Sequence, residues 1–259
     1  MSDFVVVIPA RYASTRLPGK PLRLIAGKPM IWHVHQLALQ SSAKEVWIAT
    51  DDERIEKTAA DFGASVCMTR SDHQSGTDRL AEVCDLLGWP DNLVVVNLQG
   101  DEPLMPPVLI DQCATLLDAG AAHMATLASP LDTISDFSNP NVAKVITDIN
   151  DNALYFSRAS IPYCRDEQST KFREKVALRH HGIYAYRRDV LRQLVAAGPC
   201  ALEKCEMLEQ LRALWLGITL RVGRATVRPG PGVDTHEDLV TVEAILKQNS
   251  SADHSSTHS

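Results

Sequence analysis

Residues 4–22 of the chain read FVVVIPARYASTRLPGKPL. The run from Phe4 to Ile8 is entirely apolar and mostly β-branched. A continuous run of this kind is typical of a β-strand that is buried on both faces. The polar and basic residues that follow it predict a loop at the carboxyl end of that strand.

Short apolar runs and amphipathic segments alternate along the first half of the chain. This alternation predicts an α/β fold with a mostly parallel central sheet and helices on both faces. Ligands of such sheets bind beyond the carboxyl ends of the strands, which draws attention to the segments after the first and fourth strands. Further strands are predicted at 46–49, 65–68 and 93–97, and helices at 30–40, 53–62 and 78–87, the last capped by Thr77.

No change of composition divides residues 1–248, so we predict a single domain there. Its second half is expected to contain a loop at 129–142, a hairpin around Asn150-Asp151-Asn152, a helix over 203–215 and a last helix of about ten residues after Thr235. Residues 249–259 are rich in Ser and His and are predicted to be a disordered tail.

Charge and composition exclude some classes of protein. The chain has 26 Lys and Arg against 32 Asp and Glu, and its net charge of −6 argues against a nucleic-acid-binding surface. No apolar run approaches the roughly 20 residues that span a bilayer, so no membrane insertion is expected. No export signal is visible either, and we therefore expect a cytoplasmic protein.

The loop after the first strand is the first candidate for chemistry. It holds Arg11, Arg16 and Lys20 within ten residues, together with Ser14 and Gly19. Cations, hydroxyl groups and a closely approaching backbone are what a polyphosphate requires. A solvated basic loop is the alternative interpretation, because the segment matches neither of the common phosphate-binding glycine motifs.

Two aspartates are candidate ligands of a hard cation. Asp101 follows the fourth strand in Asn97-Leu98-Gln99-Gly100-Asp101, and Asp234 precedes the last helix. Mg²⁺ is commonly held by one or two carboxylates and the phosphates of a substrate. The alternatives are a turn at Gly100-Asp101 and a helix cap at Asp234.

The segment 70–79 is rich in small polar donors. Ser75, Gly76 and Thr77 lie at the start of a predicted helix and could bind an anion or the edge of a nucleobase. Ordinary helix capping explains the same residues equally well.

Taken together, these segments resemble the 3-deoxy-manno-octulosonate cytidylyltransferases. The match begins with residues 8–22 and extends over nearly the whole chain, from residue 4 to about 245. It is carried by these further motifs: Ala49-Thr50-Asp51, Asp72-His73-Gln74-Ser75-Gly76-Thr77, Gln99-Gly100-Asp101-Glu102-Pro103, Tyr155-Phe156-Ser157-Arg158, His181-Gly182-Ile183-Tyr184, Glu206-Met207-Leu208-Glu209-Gln210 and Gly232-Val233-Asp234-Thr235.

The resemblance implies a glycosyltransferase-A-like nucleotide-binding fold and a nucleotidyltransferase that couples the acidic sugar Kdo to CMP. The enzyme would consume CTP, require Mg²⁺ and release pyrophosphate. Its product would be used in lipopolysaccharide biosynthesis. A homodimer is implied as well, with 145–190 as the expected dimerisation region. A related enzyme acting on another acid sugar is the open alternative.

The resemblance also assigns roles to individual residues. Arg11, Lys20, Asp101 and Asp234 would be catalytic, and the two aspartates would bind the metal. The residues expected at CTP are Ala10, Arg11, Ser14, Arg16, Lys20, Arg70, Ser75 and Arg79. Those expected at the sugar are Gln99, Arg158, His181, Tyr184, Glu209 and Gln210, with Arg158 as the partner of its carboxylate.

Overall fold

A computed structural model describes residues 3–14, 16–73, 75–118, 122–166, 173 and 175–255, with side chains as far as residue 248. The strands are β1 (Phe4–Ala10), β2 (Leu24–Ile25), β3 (Lys28–Pro29), β4 (Glu45–Thr50), β5 (Ser65–Met68), β6 (Val94–Leu98), β7 (Met124–Pro130), β8 (Lys144–Thr147), β9 (Ala153–Ser157), β10 (Leu178–Arg187) and β11 (Leu220–Arg224). The helices are α1 (Met30–Leu39), α2 (Glu53–Asp61), α3 (Gly76–Leu86), α4 (Pro107–Thr115), α5 (Ile134–Ser138), α6 (Arg188–Ala197), α7 (Ala201–Glu206), α8 (Leu211–Trp215) and α9 (His236–Ser255).

The main sheet contains nine of the described strands. Its order is β5-β4-β1-β6-β10-β7-β11, with the β8–β9 hairpin attached to β10. Strands β5, β4, β1 and β6 are parallel, whereas β10 is antiparallel to both of its neighbours. The expected mostly parallel sheet is confirmed.

The carboxyl ends of the parallel strands meet at one edge of the sheet. Ala10, the last residue of β1, lies opposite Thr50 of β4, and Thr50 lies opposite Met68 of β5. Asn97 of β6 pairs with Val7 of β1 on the other side. The loops that leave these strands therefore share one edge, where the candidate residues were expected.

Alternate residues of β1 pack into two apolar layers. Phe4, Val6 and Ile8 face α1, α2 and α4, while Val5 and Val7 face α3 and α6. All five are nearly or fully buried, and each buried aliphatic side chain contributes about 1.5–3 kcal/mol. The strand is therefore covered on both faces by helices, as its composition predicts.

The middle of the chain is more regular than expected. The predicted loop at 129–142 contains the end of β7 and the short helix α5. Thr133 and Asp136 form a capping box at the start of α5, a local signal that the prolines and asparagines around it obscured. The hairpin around 150–152 is formed by β8 and β9, as expected.

The predicted helix over 203–215 is wrong, because Met207 adopts a left-handed conformation (φ +53°) between α7 and α8. The break allows Glu203 and Arg212, both buried, to form a bidentate ion pair with 2.6 and 2.8 Å distances. Nine residues span about 13 Å of a straight helix, too far for this contact. Met207 is consequently 75% exposed.

The last helix is longer than expected. It extends to Ser255, through residues 249–255 of the segment predicted to be disordered. Extending an existing helix costs far less than starting one, which explains how a polar segment can continue α9. Residues 256–259 lie outside the described residues, as do most of 167–174. In the described ranges, no helix has the length and apolar composition needed to cross a bilayer.

Candidate active site

The basic loop folds back on itself between β1 and a short 3₁₀ turn at Lys20–Leu22. Gly19 has a φ of +65°, and its N–H donates to the carbonyl of Tyr12 at 3.2 Å. A side chain at this position would meet the Tyr12 ring at 3.2 Å, so both the conformation and the space favour glycine. The turn directs Lys20 towards the edge of the sheet.

The ammonium group of Lys20 lies between the two predicted metal ligands. Its Nζ is 2.6 Å from Oδ2 of Asp101 and 3.0 Å from Oδ1 of Asp234, and it also donates to the carbonyl of Val233 at 2.9 Å. The structure therefore brings together two aspartates that are far apart in the sequence. Arg16 adds a second, exposed cation 3.1 Å from Asp234.

Lys20 keeps its charge in this position. Burial lowers the pKa of its ammonium group, but the charges and hydrogen bonds of Asp101 and Asp234 outweigh burial and raise that pKa above its ordinary value. Two carboxylates thus share one fixed positive charge.

Gly100 allows the Asp101 loop to approach β1. A Cβ atom at this position would lie only 2.8 Å from the carbonyl oxygen of Pro9, well inside normal contact distance. The close approach places Asp101 beside the basic loop.

A small apolar cluster holds Asp234 against the same loop. Leu17 of the basic loop packs there with Val233 and with Leu239 and Val242 of α9. The cluster, which also contains Ile25 and Met30, is separate from the two layers of the main sheet. We call it the C-terminal cluster.

Glu102, which follows Asp101, is a further carboxylate near the Lys20 site, and no role is predicted for it from the sequence. It lines a neighbouring cavity together with His181. Burial raises its pKa to about 8, and the negative charges of Asp101 and Asp234 add to the effect. Its place directly after Asp101 in a tight turn is the only sequence signal that could have identified it.

Asp101 and Asp234 fit a hard divalent cation. Their oxygens converge on a single cationic atom, and both are carboxylates, the ligand type that Mg²⁺ prefers. Among the described residues, no group of three or more His, Cys, Asp or Glu side chains is arranged to hold a metal. A metal held here would therefore complete its coordination with phosphate oxygens and water.

The start of α3 differs in detail from the prediction. Ser75, not Thr77, caps the helix: its Oγ accepts from the N–H of Asp78 at 3.1 Å, and Asp78 in turn accepts from the N–H of Ser75. Thr77 instead donates to Oε2 of Glu209 at 2.9 Å. Arg70 is exposed and contacts Asp72 at 3.1 Å.

Arg79 is almost completely buried although it is charged. Its Nη1 donates to the hydroxyl of Thr69, and its Nη2 lies 3.3 Å from Asp51 without the geometry of a hydrogen bond. It joins the ends of β4 and β5 to α3 below the site.

These elements enclose a cleft of about 460 Å³ at the sheet edge. Two of the residues predicted to bind CTP, Arg70 and Ser75, do not line it, and of the predicted sugar residues only Gln99 and Glu209 do. The predicted residues that line it are Ala10, Arg11, Ser14, Arg16, Lys20, Arg79, Gln99, Asp101, Glu209 and Asp234.

Three other predicted sugar residues lie apart from this cleft. His181 lines a second cavity of about 580 Å³, its Nε2 is 3.0 Å from the hydroxyl of Ser129, and burial lowers its pKa to about 4. Tyr184 and Gln210 are buried, and burial raises the pKa of the Tyr184 hydroxyl.

Arg158 is held by the main chain. Its guanidinium donates to the carbonyls of Glu206 at 2.8 Å, Pro140 at 2.9 Å and Met207 at 3.4 Å, and it lines neither cavity. In this arrangement its donors are directed at carbonyl groups of its own chain. Its predicted pairing with a sugar carboxylate would require these bonds to be released.

The known proteins that this chain resembles are described as cytidylyltransferases. Residues 5–220 match a family model described as cytidylyltransferase. The chain is 55% identical over 251 residues to a 3-deoxy-manno-octulosonate cytidylyltransferase of Pseudomonas fluorescens, covering 95% of this chain and 99% of that protein. It is 51% identical over 246 residues to the protein of the same name from Yersinia enterocolitica, with 94% and 98% covered.

Solved structures show the same relationship. One described as CMP:2-keto-3-deoxy-manno-octonic acid synthetase complexed with CTP matches with a TM-score of 0.88 and 44% identity, covering 96% of this chain and all of that one. A cytidylyltransferase from Leptospira borgpetersenii shares the fold at a TM-score of 0.59 and 16% identity.

Proposed function

Because the chain belongs to the cytidylyltransferase family, we propose that it transfers CMP from CTP to Kdo and releases pyrophosphate. The observation that carries this proposal is the convergence of Lys20, Asp101 and Asp234 in a cleft lined by the basic loop. The product would serve lipopolysaccharide assembly.

The residues of the cleft suit a reaction between two anions. Arg11, Arg16 and Lys20 line the cleft and would offset the charge of the triphosphate and of the departing pyrophosphate. Without such cations, the carboxylate of Kdo and the phosphates of CTP would repel each other. Positioning and charge stabilisation account for most of the catalysis of such transfers.

Asp101 and Asp234 would hold Mg²⁺ in the cleft. When bound, the metal would lower the pKa of the attacking sugar hydroxyl and stabilise the developing negative charge. The two aspartates would fix its position relative to the basic loop. The anomeric hydroxyl would then attack phosphorus directly, without a nucleophile supplied by the protein.

Gln99 and Glu209 would contact the sugar. They line the wall of the cleft with Asp101, and Thr77 holds one Glu209 oxygen. Burial raises the pKa of Glu209, and its hydrogen bond with Thr77 opposes that effect. An amide and a carboxyl group in this position would bond the hydroxyl groups of Kdo.

We further propose a cytoplasmic homodimer that uses the 145–190 region as its interface. Large apolar side chains are exposed there, among them Ile149 at 97%, Leu154 at 59% and Tyr163 at 88%. A dimer that covers these side chains would remove apolar surface from water, which supports the proposal. Light scattering of the purified chain at micromolar concentration should give twice the monomer mass.

Pyrophosphate release tests the proposed reaction. The assay contains CTP, Kdo and Mg²⁺, with each omitted in turn, and we expect release only when all three are present. Release with UTP in place of CTP, or faster release with another 2-keto acid sugar than with Kdo, would contradict the proposed substrates. CTP binding without release would identify a nucleotide sensor instead.

A further inference from the structure

Lys20 satisfies all three of its N–H donors at the predicted metal site. They are directed at Asp101, Asp234 and the carbonyl of Val233, at 2.6, 3.0 and 2.9 Å. An ammonium group has three donors and no acceptor, so no further bond is available to it here. Its side chain is only 14% exposed, and it occupies the space between the carboxylates.

An ammonium ion and a divalent cation cannot occupy this space together. Two positive ions within a few ångströms repel each other strongly in a partly buried site. A metal that binds both aspartates must therefore displace the lysine, and the lost bonds of Lys20 reduce the metal's apparent affinity.

A triphosphate would remove this obstacle. Lys20 has a flexible four-carbon stem, and it lines the same cleft as Arg11 and Ser14. Phosphate oxygens in the cleft would offer its ammonium group acceptors as strongly charged as the aspartates. The move would free two carboxylates at the place where the phosphates arrive.

We propose that Lys20 keeps Mg²⁺ off the Asp101–Asp234 pair until CTP draws its ammonium group away. This inference rests on the proposed function and adds an order to it: the metal site of the protein alone is weak, and nucleotide and metal bind with positive coupling. Linkage requires that each increases the affinity for the other by the same factor.

Removal of the lysine charge tests the inference without any nucleotide. Mn²⁺ serves as the probe, and its binding to the protein alone is followed by the loss of the free-ion signal in electron paramagnetic resonance. Lys20→Met should bind Mn²⁺ about tenfold more tightly than the wild type, or more, within the usual range of coupling between sites. Equal affinities of the two proteins would overturn the proposal.

Three further variants make the result specific. Arg16→Gln is the matched control, because Arg16 is an exposed cation whose ion pair, in the described part of the chain, is with Asp234. The affinity of this variant for Mn²⁺ should change much less than that of Lys20→Met. Lys20→Met combined with Asp101→Asn should lose the gain. Lys20→Gln replaces Lys20→Met if circular dichroism shows that the latter is unfolded, and wild-type affinity of the glutamine variant would also refute the inference.

The outcome is separable from that of the proposed reaction. The Mn²⁺ titration contains neither CTP nor Kdo, whereas the pyrophosphate assay uses the wild-type protein only. Absence of pyrophosphate release with a clear gain in Lys20→Met would reject the proposed reaction but retain the competition between lysine and metal.

Discussion

The hydroxyl of Thr77 donates a 2.9 Å hydrogen bond to Oε2 of Glu209, a residue that lies 132 positions later in the chain. Thr77 is in the first turn of α3, and Glu209 is in the turn between α7 and α8. The bond joins the helix below the basic loop to the wall on which the sugar is proposed to bind. Glu209 is thereby held at the cleft rather than left free to turn away.

Thr77→Val should release the side chain of Glu209 from its position at the cleft. The substitution keeps the shape of the side chain but removes the donor, and we expect a loss of about 1 kcal/mol of stability. The apparent KM for Kdo should rise several-fold, while the KM for CTP changes little. Steady-state kinetics with each substrate varied measures both, and equal changes in the two would argue against a role of Glu209 at the sugar.

Asp101→Asn should abolish most of the turnover. The amide is isosteric but uncharged, so it binds Mg²⁺ poorly and no longer balances the charge of Lys20. We expect pyrophosphate release to fall about 100-fold or more, with CTP still bound by the basic loop in calorimetry. Asp111→Asn, which removes a carboxylate near Ser42 outside the cleft, is the control. Wild-type turnover by Asp101→Asn would remove the metal role.

Gly100→Ala should destabilise the protein and displace the Asp101 loop. The added Cβ would meet the carbonyl oxygen of Pro9 at 2.8 Å, and relief requires movement of the backbone. Such overpacking costs about 1–3 kcal/mol, measurable by urea denaturation. Gly76→Ala is the matched control, because its Cβ meets Pro9 only at 3.6 Å and its position is helical. Equal stability of Gly100→Ala and the wild type would refute the steric argument.

Arg158→Ala should act on stability and not only on substrate binding. Three main-chain carbonyls would lose a charged donor, and we expect a loss of about 1–3 kcal/mol. Arg70→Ala is the control, since its exposed ion pair with Asp72 contributes about 0.5 kcal/mol or less. An unchanged melting temperature for Arg158→Ala, with a higher KM for Kdo, would support the carboxylate role instead.

Glu102 should make stability depend on pH. Its pKa is about 8 in the folded protein against an ordinary value of 4.5, so the folded state binds the proton more tightly than the unfolded state. The resulting stabilisation is complete below about pH 4.5 and is lost as the pH rises to 8.

Glu102→Gln should lack this dependence. We compare the unfolding free energies of wild type and variant in EDTA. The wild type should lose stability relative to the variant as the pH rises from about 4.5 to 8. Glu243→Gln is the control. The ion pair with Lys247 lowers the pKa of Glu243, so its contribution to stability changes with pH only at more acidic values. A difference that is constant from pH 5 to 8 would contradict the raised pKa.

The sheet edge was predictable from the sequence because the hydrophobic pattern of each strand depends only on residues that are neighbours in the chain. The apolar run at Phe4–Ile8 can be covered only by helices on both sides, and β-strands placed in parallel must bring Ala10, Thr50 and Leu98 to one edge. The position of Lys20 and Asp101 at the cleft was predictable from that geometry.

Contacts between distant segments were harder to predict. The sequence around Met207 has a helical pattern, and only the pairing of Glu203 with Arg212 in three dimensions explains the break. Arg158 resembles a carboxylate ligand by its residue type, but its surroundings are carbonyl groups contributed by two other segments. The position of Lys20 between two aspartates likewise depends on three separate parts of the chain.

The C-terminal cluster allows the active site to unfold before the sheet does. Asp234 is positioned by contacts among Leu17, Val233 and Leu239, and not by either large apolar layer. Small, peripheral apolar clusters open at lower free energy than a central core. Detachment of α9 would therefore move Asp234 away from Asp101 while the strands are still intact, so that heat would inactivate the enzyme before the sheet unfolds.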